Sequence, residues 1–462
     1  MNTCTYALSA FALVIVLTNP AISTANPSFE NSNDPNQIQI TYNTKSGYSY
    51  QLQRSTDLVS WTEVGETQLG DSQNPISLSL NAPEAPAVFY RFVQNLDYGT
   101  PESWLGYPIA SNRVSPDSLS NEASGYYTIV AAKAFAYFTG TLEQAYHEPV
   151  GEVANYFGYA ALRQEIRDRG GSQADEGFRG ASWMETLEIL NTDQRQVLYD
   201  LMYVHEPLFE DFFDIRLDLV DELWAVRAGN ELNLSKALSI GLQMGRNEAE
   251  LTVTSAEAYS AILPTLSTEQ LQTFQDIRSG ATTIADMQQD GPNTATVESE
   301  IADFNNTQRD VLLAIASKMI SWITGTVDDA VILPPGKISN YFGFAYYRYV
   351  DRANVSRSDA ANKFLSVLDD TQKAIIAGLA QDVVATSKAY IDGRENLIRG
   401  SYPLRIGQSI DRDQLVDAYT SHAGLGETRR AIIEALTFYE LEKTITTEQL
   451  AELASYRTDT SE

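Results

Sequence analysis

Gly151-Glu-Val-Ala-Asn155-Tyr156-Phe157-Gly158-Tyr159-Ala160 is answered later in the same chain by Gly336-Lys-Ile-Ser-Asn340-Tyr341-Phe342-Gly343-Phe344-Ala345. The offset between the two segments is 185 residues, and the same offset relates Thr139-Gly140-Thr141 to Thr324-Gly325-Thr326, Arg163 to Arg348 and Arg167 to Arg352. It becomes 178 from Gln194/Gln372 through Asp214/Asp392 and Arg216/Arg394, then 179 at Thr268-Glu-Gln-Leu271 and Thr447-Glu-Gln-Leu450. Chance does not hold a register that long, so the sequence reads as a duplicated unit of roughly 150 to 180 residues.

Within the copies the apolar period is helical. Tyr127, Val130, Ala131, Ala134 and Phe138 fall on one stripe, as do Phe213, Leu217, Val220 and Trp224. The pattern predicts a mainly α protein: two tandem homologous helical bundles over residues 120–285 and 311–459, joined by 286–310 and facing each other across the two Asn-Tyr-Phe-Gly segments. A small antiparallel β-sandwich over residues 37–95 precedes them. There Gln37-Ile-Gln-Ile-Thr-Tyr42, Tyr48-Ser-Tyr-Gln-Leu-Gln53, Ile76-Ser-Leu-Ser-Leu80 and Val88-Phe-Tyr-Arg-Phe-Val93 read as strands separated by turn residues. Residues 26–36 read as a polar linker. Trp61 reads as a core residue bridging the two sheets in preference to a carbohydrate-stacking platform.

The bulk numbers bound the function. A chain of 462 residues exceeds one hydrophobic core and predicts two or three domains. A hydrophobic content of 43% is enough to bury them. The net charge of −29 repels nucleic acid phosphates and anionic lipid alike. Residues 1–25 read as a secretory signal, with the apolar run Tyr6–Leu17 leading to Ser23-Thr24-Ala25. The single cysteine, Cys4, lies inside it, so the mature chain has no thiol for a disulfide, a zinc site or a nucleophile. No later stretch reads as a membrane span. The expectation is an exported protein, periplasmic or extracellular.

Five sites share an apolar residue, then Asn, Ser, Asp or Thr, then two residues and Gln: Leu190-Asn191…Gln194, Leu266-Ser267…Gln270, Phe304-Asn305…Gln308, Leu368-Asp369…Gln372 and Ile445-Thr446…Gln449. Each is a capping box, worth on the order of 1 kcal/mol to its helix start. The spelling also resembles the LTxxQ motif of the Spy/CpxP-type periplasmic stress proteins. That resemblance implies an all-helical, ATP-independent holder of unfolded or envelope proteins. Tyr48-Ser-Tyr-Gln-Leu-Gln-Arg54-Ser55-Thr56-Asp57-Leu58 with Ser60-Trp61-Thr62 and Phe89-Tyr90-Arg91 resembles an accessory β-sandwich module of secreted planctomycete and verrucomicrobial proteins, which implies no activity.

The candidate ligand-binding residues are Asn155, Tyr156 and Arg163 with their counterparts Asn340, Tyr341 and Arg348. They read either as a packing seam, with Gly158 and Gly343 permitting a close helix approach, or as a pocket whose arginines converge on an anion. His147, His205 and His422 face Ile332, Val383 and Gln243 in the opposite copy, so no imidazole site repeats. No serine-centred motif, phosphate loop or haem-attachment motif is present. No catalytic residue, metal site or cofactor is expected. Three readings stay open: a non-catalytic binding or chaperone-like envelope protein, a small-ligand receptor or enzyme with its site between the copies, and a structural surface protein. Homo-oligomer formation is likewise left open.

Overall fold

The computed structural model describes residues 28–31, 37–42, 48–69, 75–81, 88–96, 113–149, 153, 156–170, 172–333, 338, 340–351 and 355–458. The expected signal sequence lies outside them. The chain divides into two compact units, Met1–Gly106 and Tyr107–Glu462. The protein is mainly helical, with a small antiparallel β part near its N-terminus.

The first unit has two three-stranded antiparallel sheets. One is ordered β1 (Ser28–Asn31), β2 (Gln37–Tyr42), β5 (Ile76–Asn81); the other is β4 (Thr62–Leu69), β3 (Tyr48–Ser55), β6 (Phe89–Leu96). Alternation buries one residue in two along the strands, so Ile40, Tyr42, Tyr50, Leu52, Tyr90 and Phe92 form a core in which the Tyr42 ring stacks on Phe92 at 4.4 Å. Two strands escape the sequence pattern. Ser28–Asn31 falls in the stretch read as a linker, yet it pairs with Ile38–Thr41. Thr62–Leu69 carries Gly65 at φ +70° opposite a register shift in β3, which breaks its alternation. Trp61 is not in the core. It is half-exposed, with the Arg91 guanidinium 4.2 Å above its ring. The Ser55–Ser60 loop is locked by Asp57, whose carboxylate accepts from the amides of Val59 and Ser60 at 2.9 and 2.7 Å.

In the second unit the principal helices are α1 (Asn121–Thr139), α2 (Tyr159–Gly170), α3 (Ser172–Ile189), α4 (Thr192–Ala225), α5 (Leu234–Ile262), α6 (Thr268–Ser279) and α7 (Asn306–Thr324). They are followed by α8 (Arg357–Val367), α9 (Asp370–Ser401), α10 (Arg412–Tyr419), α11 (Leu425–Glu442) and α12 (Thr447–Thr458). All five capping boxes form, with reciprocal side-chain and amide bonds at the starts of α4, α6, α7, α9 and α12. Their glutamines do more than cap. Gln270 donates to the side-chain oxygen of Gln194 at 2.8 Å and to Ile189 O at 2.7 Å. Gln449 donates to Gln372 at 2.8 Å and to Val367 O at 2.8 Å. Each pair of helix starts is thereby tied by a glutamine–glutamine bridge.

The first helix of each sequence copy packs on helices of the other. Helix α1 lies against α8 and α9, and α7 lies against α3 and α4. Their apolar faces are nearly all-round, which demands burial on several sides. Close backbone crossing occurs where α5 meets the helix running through α10 and α11. A Cβ on Gly245 would sit 2.7 Å from the Cα of Gly424, and one on Gly424 would sit 2.8 Å from Gly241 O. Gly245 and Gly424 are related by the 179 offset.

Candidate functional site

Tyr156-Phe157-Gly158 and Asn340-Tyr341-Phe342-Gly343 form turns and not the interior of helices. Gly158 and Gly343 have φ of +85° and +79°, a region that L side chains rarely adopt, and α2 begins only at Tyr159. This is why glycine stands there; the helix approach expected at these glycines is found instead at Gly245 and Gly424. Each turn rests on a short helix of the opposite copy. A Cβ on Gly158 would lie 3.4 Å from Ala330 N, and one on Gly343 would lie 3.6 Å from Ala145 N.

Two buried arginines fix the turns. Arg216 donates to Ala145 O and Tyr146 O at the end of its own copy's short helix and to Asn340 O of the other copy at 2.8 Å. Arg394, its counterpart at offset 178, donates to Ala330 O and Val331 O and to Tyr156 O of the other copy at 3.5 Å. Each guanidinium also covers the opposite copy's tyrosine, Arg216 at 5.4 Å from the Tyr341 ring and Arg394 at 5.0 Å from Tyr156. Two buried lysines at offset 185 hold the chain just ahead of the turns: Lys133 donates to Ile338 O at 2.7 Å, and Lys318 donates to Val153 O.

The turns enclose a cavity of about 60 Å³, room for a few waters or a small ligand. Its wall carries Tyr156 and Tyr341, Arg216 and Arg394, and Glu248 and Glu427, each pair drawn from matching places in the two copies. Glu148, Asn340 and Tyr390 add polar groups. Asn340 donates to Glu148 at 3.1 Å, and Glu148 lies 3.4 Å from Arg216. Glu248 accepts from Tyr156 at 3.1 Å and from Tyr419 at 2.7 Å, and the two phenols contact one another. Burial pushes the Glu248 carboxyl above the usual carboxylate range. Burial likewise pushes the Tyr156, Tyr341, Tyr390 and Tyr419 phenols well up, so all four are neutral hydroxyls near neutral pH.

Of the six candidate residues, Tyr156, Asn340 and Tyr341 line this cavity. Asn155 lies outside the described residues. Arg163 is buried with its guanidinium 6.0 Å from the Tyr159 ring, and Arg348 lies 5.0 Å from the Tyr349 ring in the turn Tyr347–Asp351; neither lines the cavity. The arginines that do, Arg216 and Arg394, entered the sequence reading only as register marks. Lys133 and Lys318 were missed there. The signal was available: each is the sole charge in a long apolar run, at the same offset in both copies. Among the described residues no group of three or more His, Cys, Asp or Glu side chains is arranged to hold a metal ion. No described helix is long and apolar enough to cross a membrane. No protein-family model, curated protein or solved structure matches the chain.

Proposed function

We propose that the protein is exported and binds a small polar ligand, without catalysis, in the cavity where two copies of a duplicated helical unit meet. The observation that carries this reading is the cavity itself: a space of about 60 Å³ in the middle of a helical unit, lined by paired tyrosine, arginine and glutamate side chains. Packing alone disfavours such a space. Desolvating five glutamate and arginine side chains around a void costs free energy that a filled apolar seam would not. Ligand sites fix the orientation of their occupant with a few placed polar groups among apolar ones, and this wall sets its paired side chains among Val153, Phe212, Met244 and Leu333.

Holding of unfolded clients draws less support. Four of the five LTxxQ-like glutamines bond one another and main-chain carbonyls, Gln308 donates to Glu206, and the large exposed apolar side chains among the described residues, such as Tyr203, Ile332, Val350 and Ile406, lie far apart in the sequence.

The test is a thermal-shift series on the purified protein with small amines, carboxylates and polyols. A saturable rise in Tm is expected for one class, abolished by Phe212→Trp, which drives bulk into the cavity from its wall. No response to any class would overturn the reading, and suppression of client aggregation at equimolar ratio would restore the chaperone-like one.

A further inference from the structure

Away from the central cavity, helices α4 and α7 leave a second, open pocket of about 430 Å³ between them. That lies within the range of small-molecule sites, about 300–1,000 Å³. Its floor is apolar: Phe209 and Val311 are buried, and Phe213 is half-buried beside them. Its rim is acidic. Glu210 and Asp214 lie one turn apart on α4, and Asp310 comes from α7. Among the described residues nothing donates to these three carboxylates or forms an ion pair with them. Arg309, next to Asp310 in the chain, turns its guanidinium instead to Ile301 O and Phe304 O, at 2.7 and 3.1 Å. Like charges one turn apart weaken a helix. The protein around Asp310 also desolvates it enough to push its carboxyl up.

The second copy shows what satisfies this place. The 178 offset that matches α4 to α9 puts Lys388 at the position of Glu210, Ile391 at Phe213 and Asp392 at Asp214. The Lys388 ammonium bonds Asp392 at 2.8 Å, and Glu122 on helix α1 adds its charge. The 185 offset relates Glu122 to Thr307 and Gly125 to Asp310, with the helix caps Ser120 and Asn305 in the same register. The second copy therefore carries a cation for this place in its own sequence. The first copy has a glutamate there, a carboxylate where the second has glycine, and an aromatic ring where the second has isoleucine. All three differences favour a cation from outside the chain, since a phenyl face attracts positive charge and isoleucine does not.

A bare metal ion is not the fit. Among the described residues no group of three or more His, Cys, Asp or Glu side chains is arranged to hold one. It would also leave the phenylalanine floor unused. We propose that this pocket is a second binding site and that its ligand is a small organic ammonium. The charged head lies among Glu210, Asp214 and Asp310, and the hydrocarbon body rests on Phe209, Phe213 and Val311. The central cavity, at about 60 Å³, has no room for such a body.

The experiment titrates the whole chain with phenethylamine, butylamine, phenethyl alcohol and calcium chloride, by calorimetry at constant ionic strength. Both amines are expected to bind saturably. Phenethyl alcohol, the same body without the charge, should bind roughly tenfold more weakly than phenethylamine. Glu210→Lys, which recreates the second copy's lysine–aspartate pair, should weaken amine binding by roughly tenfold or more. Phe213→Ala should weaken it about three- to fivefold, the range for a cation over an exposed ring. Circular dichroism of both variants establishes that they are folded. Binding of the alcohol as tight as that of the amine overturns recognition of charge. Displacement of the amine by calcium at equal concentration overturns the organic ligand in favour of a metal ion. Amine binding untouched by both substitutions overturns the placement, and no saturable binding of either amine overturns the site itself.

Discussion

Lys133 and Lys318 occupy the same place in the two sequence copies, and each ties the opposite copy's tyrosine turn through a main-chain carbonyl. Their surroundings differ. Lys133 also pairs with Glu434 at 3.0 Å, and Glu434 with Arg430 at 2.9 Å, all three essentially inaccessible. The positions 179 residues before Glu434 and Arg430 hold Ser255 and Leu251, and near Lys318 lies the buried ring of His205. The contrast teaches that the main-chain ties recur at matching sequence positions while the charges around them differ. Burial, then the nearby Arg430, pulls the Lys133 ammonium down to about 7, so the Glu434 carboxylate is what keeps two cations tolerable there.

The largest break in this comparison is Glu434→Ala. It leaves Lys133 and Arg430 buried without their shared carboxylate and should cost about 3–5 kcal/mol in urea unfolding. Ser255→Ala at the matching position should cost under about 1 kcal/mol. Comparable losses at the two sites would mean that the charge cluster is not what distinguishes the copies.

Acid should expose the other side of the contrast. The His205 Nε2–H donates to Thr254 at 2.8 Å, because the Thr254 hydroxyl gives its own hydrogen to Glu250 O, and Nδ1 has no partner. Burial, helped by the Lys318 charge, pulls this imidazole down to about 3. Its folded-state pKa is depressed, so the neutral ring contributes stability that is present above the ordinary imidazole pKa and lost as pH falls toward the folded value. About 3 kcal/mol should go between roughly pH 6.5 and 4, and His205→Val, the residue of the other copy, should flatten that limb. An unchanged pH profile in the variant would place the acid sensitivity elsewhere.

Smaller effects sharpen the symmetric features. Tyr156→Phe should cost about 1–1.5 kcal/mol, since it removes bonds to Glu248 and Tyr419, whereas Tyr341→Phe should cost only a few tenths in the unliganded protein. Gln270→Ala and Gln449→Ala should each cost about 1–2 kcal/mol and agree within error, because their bridges are the same. A clear inequality between the two glutamines would show that the paired caps carry different loads.

Much of the fold was legible because it rests on local periodicity. The helical stripes, the strands with clean alternation and all five capping boxes follow from spacing alone. The strand Thr62–Leu69 did not, since Gly65 and a bulge interrupt its period, and neither did Ser28–Asn31, four residues whose pairing is set by a partner strand. The site was half legible. Repetition singled out Tyr156, Asn340 and Tyr341, but it could not tell a glycine at positive φ from one at a helix crossing. Nor could it choose Arg216 and Arg394 over Arg163 and Arg348, because all four arginines repeat equally well. What separates them is which main-chain carbonyls end within reach, and that depends on segments more than a hundred residues apart.

The exchange of first helices bears on how the chain comes to be folded. Helix α1 is made early, yet its partners α8 and α9 begin more than two hundred residues later. Until that second part has been made, a helix whose residues Ile129–Phe138 are all buried in the finished fold has no home. Contacts of such long sequence separation are slow to form. The helix nearest the start of this unit is therefore among the last to be housed, and its greasy surface is the stretch most in need of shelter on the way.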